Sequence, residues 1–318
     1  MGMKQEPLVS IICLSYNHER FVAECLQSVF IQTYPALELI VVDDFSKDRS
    51  VSIIESLLRH QDKFIQNCNN QGVCQSFNRG LAQAKGKYIV DLAADDLLFP
   101  DTIAKQVAYF ETLSEEYGAI FGDAVLISET GKKLGTWYKR DAQGKRLQPV
   151  PSGDVFAAVL AGTPILTVTA MTRRSVYEAL DGYDESLLYE DFDFLVRASR
   201  RWKYGFKDEC WVKYRQVKGS HSKQQQLRRT QQMESTWKVC EKAAVLVQTP
   251  EEISALLIRL RNGLRQCFFL EHYALGAQYA ALYRRFKPLP SSLQAIAWAC
   301  QLKIPFYQVY RTYQKLRR

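Results

Sequence analysis

Apolar and polar positions fall into alternating blocks along the first hundred residues. Residues 8–14, LVSIICL, form a short β-branched run of the kind that makes a buried strand, and Ser15-Tyr16-Asn17-His18 breaks it at once. In the following ERFVAECLQSVFIQ, apolar residues recur at three- and four-residue spacing, which predicts an amphipathic helix. The unit then repeats. Glu38 to Val42 is a second strand closed by Asp43-Asp44-Phe45-Ser46, and a helix runs from about Arg49 to His60. Phe64-Ile65-Gln66 is a short third strand, and NNQGVCQSFNRGLAQAKG supplies a loop and a helix ending at Gly86. Tyr88 to Leu92 is a fourth strand that stops at Ala93-Ala94-Asp95-Asp96. Such alternation with short turns predicts an α/β domain, a mostly parallel sheet flanked by helices on both faces.

Further on, the pattern predicts a helix from Ile103 to Leu113, strands at 119–123 and 125–127, and a Gly- and Lys-rich excursion at 129–151 that is expected to be mobile. A helix over 156–160 and a strand over 165–171 follow. Residues 182–202, GYDESLLYEDFDFLVRASRRW, read as an acidic, aromatic loop running into a helix with Phe192, Leu195, Val196 and Ala198 on its apolar side. KYRQVKGSHSKQQQLRR, residues 213–229, reads as a basic loop. Residues 226–247, 252–286 and 291–316 are predicted to be helical, interrupted by Pro250, Pro288 and Pro290.

Composition leaves an ordinary globular class: 47% of the residues are hydrophobic and 24% charged. No apolar run reaches the roughly 18 residues of a membrane-spanning helix. The N-terminal stretch has no apolar signal-peptide core, and Glu6 occupies the Ser/Thr position of a myristoylation pattern. The eight cysteines form no CxxC pair, so they are expected to be reduced structural thiols of a cytoplasmic protein rather than a zinc or disulfide framework. Charge does change the picture. The net +8 conceals 23 Lys and Arg against 7 Asp and Glu from residue 200 onward, leaving 19 basic and 27 acidic residues before it. This split suggests a boundary, with one domain at 1–222 and a basic helical extension at 223–318. The extension is either a bundle with a solvated basic face or a segment that lies partly on an anionic membrane surface.

The candidate chemistry sits where strands end. In open α/β sheets ligands bind at the carboxyl ends of the strands. If strands 1, 2 and 4 are neighbours, Ser15-Tyr16-Asn17, Asp43-Asp44 and Asp95-Asp96 share one cleft. Two adjacent carboxylates directly after an apolar strand are costly unless something positive faces them, and a divalent cation is a natural partner. A solvated turn capping the helix near Pro100 is the alternative. No GxGxxG follows strand 1 and no GxxxxGK[ST] occurs, so phosphates here would meet a metal rather than a glycine-rich loop. Glu190 and Asp191 lie at a helix start, where the dipole favours acids, and the same placement suits a carboxylate aimed into a cleft.

VSIICLSYNHERFVAECLQSVFIQTYPALELIVVDDFSKDRS resembles the opening of the family 2 inverting glycosyltransferases of the GT-A fold, nucleotide-diphospho-sugar transferases. NNQGVCQSFNRGLAQAKGKYIVDLAADD and DGYDESLLYEDFDFLVRAS are similar to that family's later blocks. The resemblance covers about residues 7–222. It implies that Tyr16 packs on the nucleotide base and that Asp44 hydrogen-bonds it, usually as uracil. It implies that Asp95 reaches the ribose, Asp96 the metal, and that Asp191 is the general base; Glu190 is expected to point away. Ser15 and Asn78 are counted among the donor-contacting residues. Two positions depart from the family pattern: Ala93 stands where an Asp is often found. Tyr214-Arg215 is followed by Val217 where a His is common; His221 is the candidate substitute metal ligand, with a solvated loop histidine as the alternative.

The implied reaction is transfer from a nucleotide-sugar donor, UDP-linked, to a glycan or lipid-linked acceptor. Mn²⁺ or Mg²⁺ on Asp96 would neutralise the leaving diphosphate, and a carboxylate across the cleft would take the acceptor proton. The alternatives are a nucleotidyltransferase, for which SYNHERF lacks the Gly-rich loop, and a non-catalytic glycan- or nucleotide-binding relative, favoured by Ala93 and Val217. No nucleic-acid partner is expected, because a carboxylate-lined cleft repels phosphates without a metal. The expected location is cytoplasmic, with peripheral docking on the inner face of the cell membrane through the basic helices.

Overall fold

Local pattern and register together place the strand ends. In the computed structural model, which describes residues 6–162, 164–217 and 231–310, the chain forms two compact units. One comprises residues up to Val155 together with Pro164–Val217, and the other comprises 156–163 together with the chain from Lys218 onward.

In the first unit the repeated strand–helix blocks fold as β1 (Val9–Ser15), α1 (Val22–Phe30), β2 (Leu37–Asp43), α2 (Ser50–Leu57), β3 (Lys63–Gln66), α3 (Val73–Leu81) and β4 (Tyr88–Ala93). β3, β2, β1 and β4 lie side by side, all parallel. The register sets Ser15 beside Asp43, Asp43 beside Gln66, and Leu14 beside Ala93. The three polar clusters therefore end on one edge of the sheet, as the alternation predicted. One face of these strands (Ile11, Cys13, Val41, Val90, Leu92) is buried against Val22, Leu26 and Val29 of α1 and against Ile103, Val107 and Phe110 of α4 (Thr102–Phe110). α3 lies on the other face, close enough that a Cβ at Gly80 would strike the Ile12 side chain.

Beyond β4 the sheet becomes mixed. β5 (Leu97–Leu98), β6 (Tyr117–Ser128), β8 (Met171–Arg173) and β9 (Lys203–Gln216) extend it in the order β4-β8-β6-β9-β5, and β7 (Lys133–Thr136) pairs with β6. β8 runs antiparallel to both β4 and β6, while β6 and β9 are parallel. The two strands expected between 119 and 127 are one continuous strand. The strand expected over 165–171 is instead a 3₁₀ turn, Thr167–Thr169, ahead of β8. There the Thr169 hydroxyl bonds back to Leu166 O and to Gly122 O, a local alternative to a ladder.

Residues 213–216, read as basic loop, complete β9, because Trp211, Val212 and Arg215 are buried along it. The excursion at 129–151 is pinned. Arg140 pairs with the fully buried Asp123 at 2.7 Å and with Asp208, Tyr138 N bonds Asp123, and the Tyr138 hydroxyl bonds Pro164 O. α6 (Arg174–Ala179) and α7 (Asp191–Ser199) complete the unit.

The second unit is helical: α5 (Phe156–Ala161), α8 (Gln231–Leu246), α9 (Pro250–Phe269), α10 (Tyr273–Phe286) and α11 (Ser291–Gln301). Thr249 and Glu252 form a reciprocal capping box at the start of α9, with Pro250 in the first turn. The single helix expected over 252–286 is broken at 270–272. Glu271 takes a left-handed conformation, φ 57°, and His272 N bonds Cys267 O to close α9. Arg259 of α9 donates to Leu160 O and Val159 O, the last carbonyls of α5. All eight cysteines are free, six of them buried. No helix among the described residues is long and apolar enough to cross a membrane.

Candidate active site

The edge formed by the carboxyl ends of β1, β2 and β4 is stitched together by backbone and side-chain hydrogen bonds. Asp44 N bonds Ser15 O, and Ala94 N bonds Leu14 O. Asp43 accepts from both Ser46 N and the Ser46 hydroxyl, so it shapes the turn after β2 rather than facing a ligand. Ser46 in turn receives Asn17 N, and Asn17 Oδ1 receives Lys47 N. Both loops turn through left-handed residues, Asn17 (φ 56°) and Phe45 (φ 66°). Left-handed backbone is costly for a bulky side chain, and this hydrogen-bond mesh holds it. Tyr16 stands at the mouth, 39% exposed, while Ser15 lies beneath with its hydroxyl unpartnered.

Asp44 is buried and organises the loop after β3. It accepts from the Asn67 amide and Gln71 N at 2.7 Å each, and from Gly72 N at 2.8 Å. Gly72 is at φ +84°, a conformation that suits glycine, and leads directly into α3. Asn78, on the same helix, has its amide bound to the 183–185 segment. Its Oδ1 receives Tyr183 N, and its Nδ2 reaches Tyr183 O and Glu185.

The Asp95-Asp96 turn is held from below by Arg215, a residue the sequence reading passed over. Arg215 N donates to Asp96 Oδ1 at 2.7 Å and its Nε to Asp95 O at 2.8 Å. Its other guanidinium nitrogens reach Glu129 O and the Glu24 carboxylate, and the plane lies over Phe21. The available signal was the Tyr214-Arg215 pair itself, which the sequence reading used only to look for a histidine. Asp96 is buried, and its Oδ2 has no hydrogen-bond partner. Desolvation pushes its carboxyl well above the usual range, and the neighbouring Asp95 charge adds to this against the opposing Arg215. A buried carboxylate oxygen left without a donor is costly unless a cation meets it. Among the described residues no group of three or more His, Cys, Asp or Glu side chains is arranged to hold a metal ion. Asp96 therefore fits a cation that keeps water and phosphate oxygens as its remaining ligands, as Mg²⁺ and Mn²⁺ do. His221, the second expected ligand, lies outside the described residues.

α7 opens at Asp191 with Glu190 as its N-cap residue. Asp191 accepts the Thr167 hydroxyl at 2.8 Å. Glu190 does not point away as expected, since its carboxyl hydrogen-bonds Asp191. Desolvation raises both, Glu190 further because the Asp191 and Asp91 charges act on it too. Asp193 is buried and ion-paired to Arg197 at 2.6 Å; that guanidinium also binds Leu180 O and Gly182 O. At Gly182, φ +70°, a Cβ would collide with the Asn78 amide.

The mixed α/β unit with an acidic rim at these strand ends has the GT-A fold. Its backbone superposes on S. aureus TarS in complex with UDP-GlcNAc with a TM-score of 0.69, at 18% identity, covering 97% of this chain and 92% of that one. It also matches the mannosyltransferase PcManGT from Pyrobaculum calidifontis in complex with GDP-Man and Mn²⁺, with a TM-score of 0.60 at 18% identity, covering 98% and 84%. A sequence profile described as glycosyl transferase family 2 matches residues 10–159. An uncharacterized glycosyltransferase of Haemophilus influenzae is 33% identical over 219 residues, 67% of each chain. The putative glycosyltransferase EpsE of Bacillus subtilis is 34% identical over 202 residues, 61% of this chain and 68% of its own. The chain belongs to glycosyltransferase family 2 and is a transferase, which sets aside the nucleotidyltransferase alternative.

Proposed function

We propose that this chain is a metal-assisted inverting glycosyltransferase that moves a sugar from a UDP-linked donor to a hydroxyl of a glycan or lipid-linked acceptor. The observation that carries this reading is the buried, unpartnered Oδ2 of Asp96 at the carboxyl edge of the sheet. A Mn²⁺ or Mg²⁺ ion held by Asp96 would supply positive charge for the leaving diphosphate. The chain's own residues do the rest. Arg215 fixes the Asp95-Asp96 turn, so the Asp96 carboxylate is oriented before any ligand arrives. The Tyr16 ring is placed to stack on the base. Asp44 has three of its about four acceptor positions filled by the 67–72 loop, leaving one for a base N–H. Ser15 and Asp95 line the same rim and are assigned to the ribose side, and Asn78 acts by holding Tyr183. Asp191 takes the acceptor proton as the hydroxyl attacks, and the Thr167 hydroxyl, which donates to it, and the Glu190 carboxyl hydrogen-bonded to it hold it in place for that step.

UDP-glucose, UDP-N-acetylglucosamine, UDP-galactose and GDP-mannose, each with Mn²⁺, test the reading through nucleotide release and thermal protection. A preference for a UDP-sugar is the expected result. Asp191→Asn keeps the shape but cannot take a proton, so turnover should fall about 10²- to 10⁴-fold, with UDP affinity and melting temperature nearly unchanged. Wild-type turnover by Asp191→Asn with a dead Glu190→Gln would move the base to Glu190. Activity in both would remove a carboxylate base from this helix.

A further inference from the structure

A carboxylate that neither the donor rim nor the base accounts for lies within β4. Asp91 interrupts the apolar run of that strand five residues before Asp96, on the face opposite the core formed by Tyr88, Val90 and Leu92. A strand-interior acid costs free energy unless it is partnered. Its partner is the Tyr183 hydroxyl, which donates to Asp91 Oδ2 at 2.9 Å. Tyr183 is itself held from several sides. Its ring stacks on Phe77 at 4.2 Å and meets Phe194 of α7 edge-on at 5.2 Å. Its backbone N–H and carbonyl are both bound by Asn78. Sheet, α3 and α7 thus converge on one phenol, and the chain leaving it runs within eight residues to Glu190 and Asp191.

We propose that Asp91 is a positioning residue of sugar transfer, acting through the Tyr183 hydroxyl to hold the 183–191 segment and so to place the Asp191 carboxylate at the cleft. The proposal rests on the reading of Asp191 as base. The titratable groups facing Asp91 are Tyr177 of α6, Tyr183, and Glu190 and Asp191 at α7. Desolvation, opposed by the Tyr183 hydrogen bond and reinforced by the Asp191 charge, pushes the Asp91 carboxyl up to about 7. Ionisation of Asp91 makes the Tyr183 hydrogen bond charge-assisted and so tightens the hold on the 183–191 segment. Transfer should accordingly rise as pH passes through about 7.

The test compares full-length wild type, Asp91→Asn, Tyr183→Phe and the double variant. The readouts are UDP release from UDP-N-acetylglucosamine with Mn²⁺ across pH 5–9 and hydrogen exchange of residues 183–191. The expected result is a loss of about 10- to 100-fold in kcat in each single variant, the scale of a small misplacement of a reacting group, with donor KM unchanged. The double variant should be no worse than the singles, because one bond couples the two residues. The inflection near pH 7 should vanish in Asp91→Asn, and exchange of 183–191 should quicken in both single variants even where turnover is too slow to measure. Unchanged exchange together with an unchanged pH profile overturns the proposal, as do additive losses with the inflection retained, which would make Asp91 a packing residue only. If Asp191→Asn is inactive while Asp91→Asn and Tyr183→Phe behave as wild type, the positioning role fails alone. If Asp191→Asn is active, the base assignment fails and this proposal with it.

Discussion

Single residues at the strand ends divide into those that build the rim and those left free to act. Asp43 and Asp44 are adjacent and both buried, yet Asp43 is consumed by its own turn, while three donors of the loop after β3 occupy most of Asp44. Asp95 and Asp96 are adjacent too. Of these four, Asp96 alone keeps a buried side-chain oxygen without a donor. That asymmetry argues for one ligand atom rather than a symmetric pair. Asp96→Ala should abolish the Mn²⁺-dependent gain in UDP affinity while leaving the fold intact, because Arg215 keeps its bonds to Asp95 O, Glu129 O and Glu24. Asp95→Ala should weaken UDP binding less. Isothermal titration of UDP with and without Mn²⁺ measures both, and metal-enhanced binding by Asp96→Ala would place the ligand role elsewhere.

At the scale of elements, β6 and β9 carry what the alternation rule did not predict. They pair in parallel over most of their length, and the segment 137–147 is fastened across them by Asp123, Arg140 and Asp208. Removing one partner of a buried ion pair leaves the other charged and desolvated. Arg140→Ala is therefore expected to cost about 3 kcal/mol, within the range for such losses, read as a lower urea midpoint. An unchanged midpoint would make 129–151 the loosely held excursion that its Gly and Lys content suggests. The α7 helix shows a similar division of labour. Its first residue faces the Thr167 hydroxyl, while Asp193, two residues on, holds the Arg197 guanidinium that clamps the preceding loop at Leu180 and Gly182.

The whole molecule joins an acidic sugar-transfer unit to a basic helical one. In the second unit Trp298 (58%), Leu302 (55%) and Val309 (56%) are exposed around Lys303. Four more basic residues, Arg311, Lys315, Arg317 and Arg318, follow in the sequence. Apolar residues interleaved with positive charge suit an anionic lipid surface, where each basic side chain close to it contributes up to about 1 kcal/mol. We propose peripheral docking of this unit on anionic membranes, which would keep the transferase near lipid-linked acceptors. Sedimentation with phosphatidylserine-containing vesicles should show binding that falls steeply with salt and weakens in Trp298→Ser. Equal binding to phosphatidylcholine vesicles would rule out the electrostatic version.

The order of strands and helices up to β4, and the polar clusters that end strands 1, 2 and 4, were determined by the sequence alone. Periodicity and strand-stopping residues are local signals, and parallel pairing of successive units follows from them. The tertiary structure decided the partners. Arg215 meets Asp96 across 119 residues of chain and Tyr183 meets Asp91 across 92, distances over which no local pattern carries information. The same holds for the 129–151 segment, whose composition resembles a free loop until Asp123 and Asp208 are brought beneath it. The break at 270–272 escaped because Glu271 is an ordinary helix former. The helix-closing bond of His272 and the bonds from Phe306 N and Tyr307 N to the Glu271 carboxylate hold it left-handed. Which acids end the strands on that edge was written in the chain. Which of them remain free for chemistry depended on donors that only folding brings near.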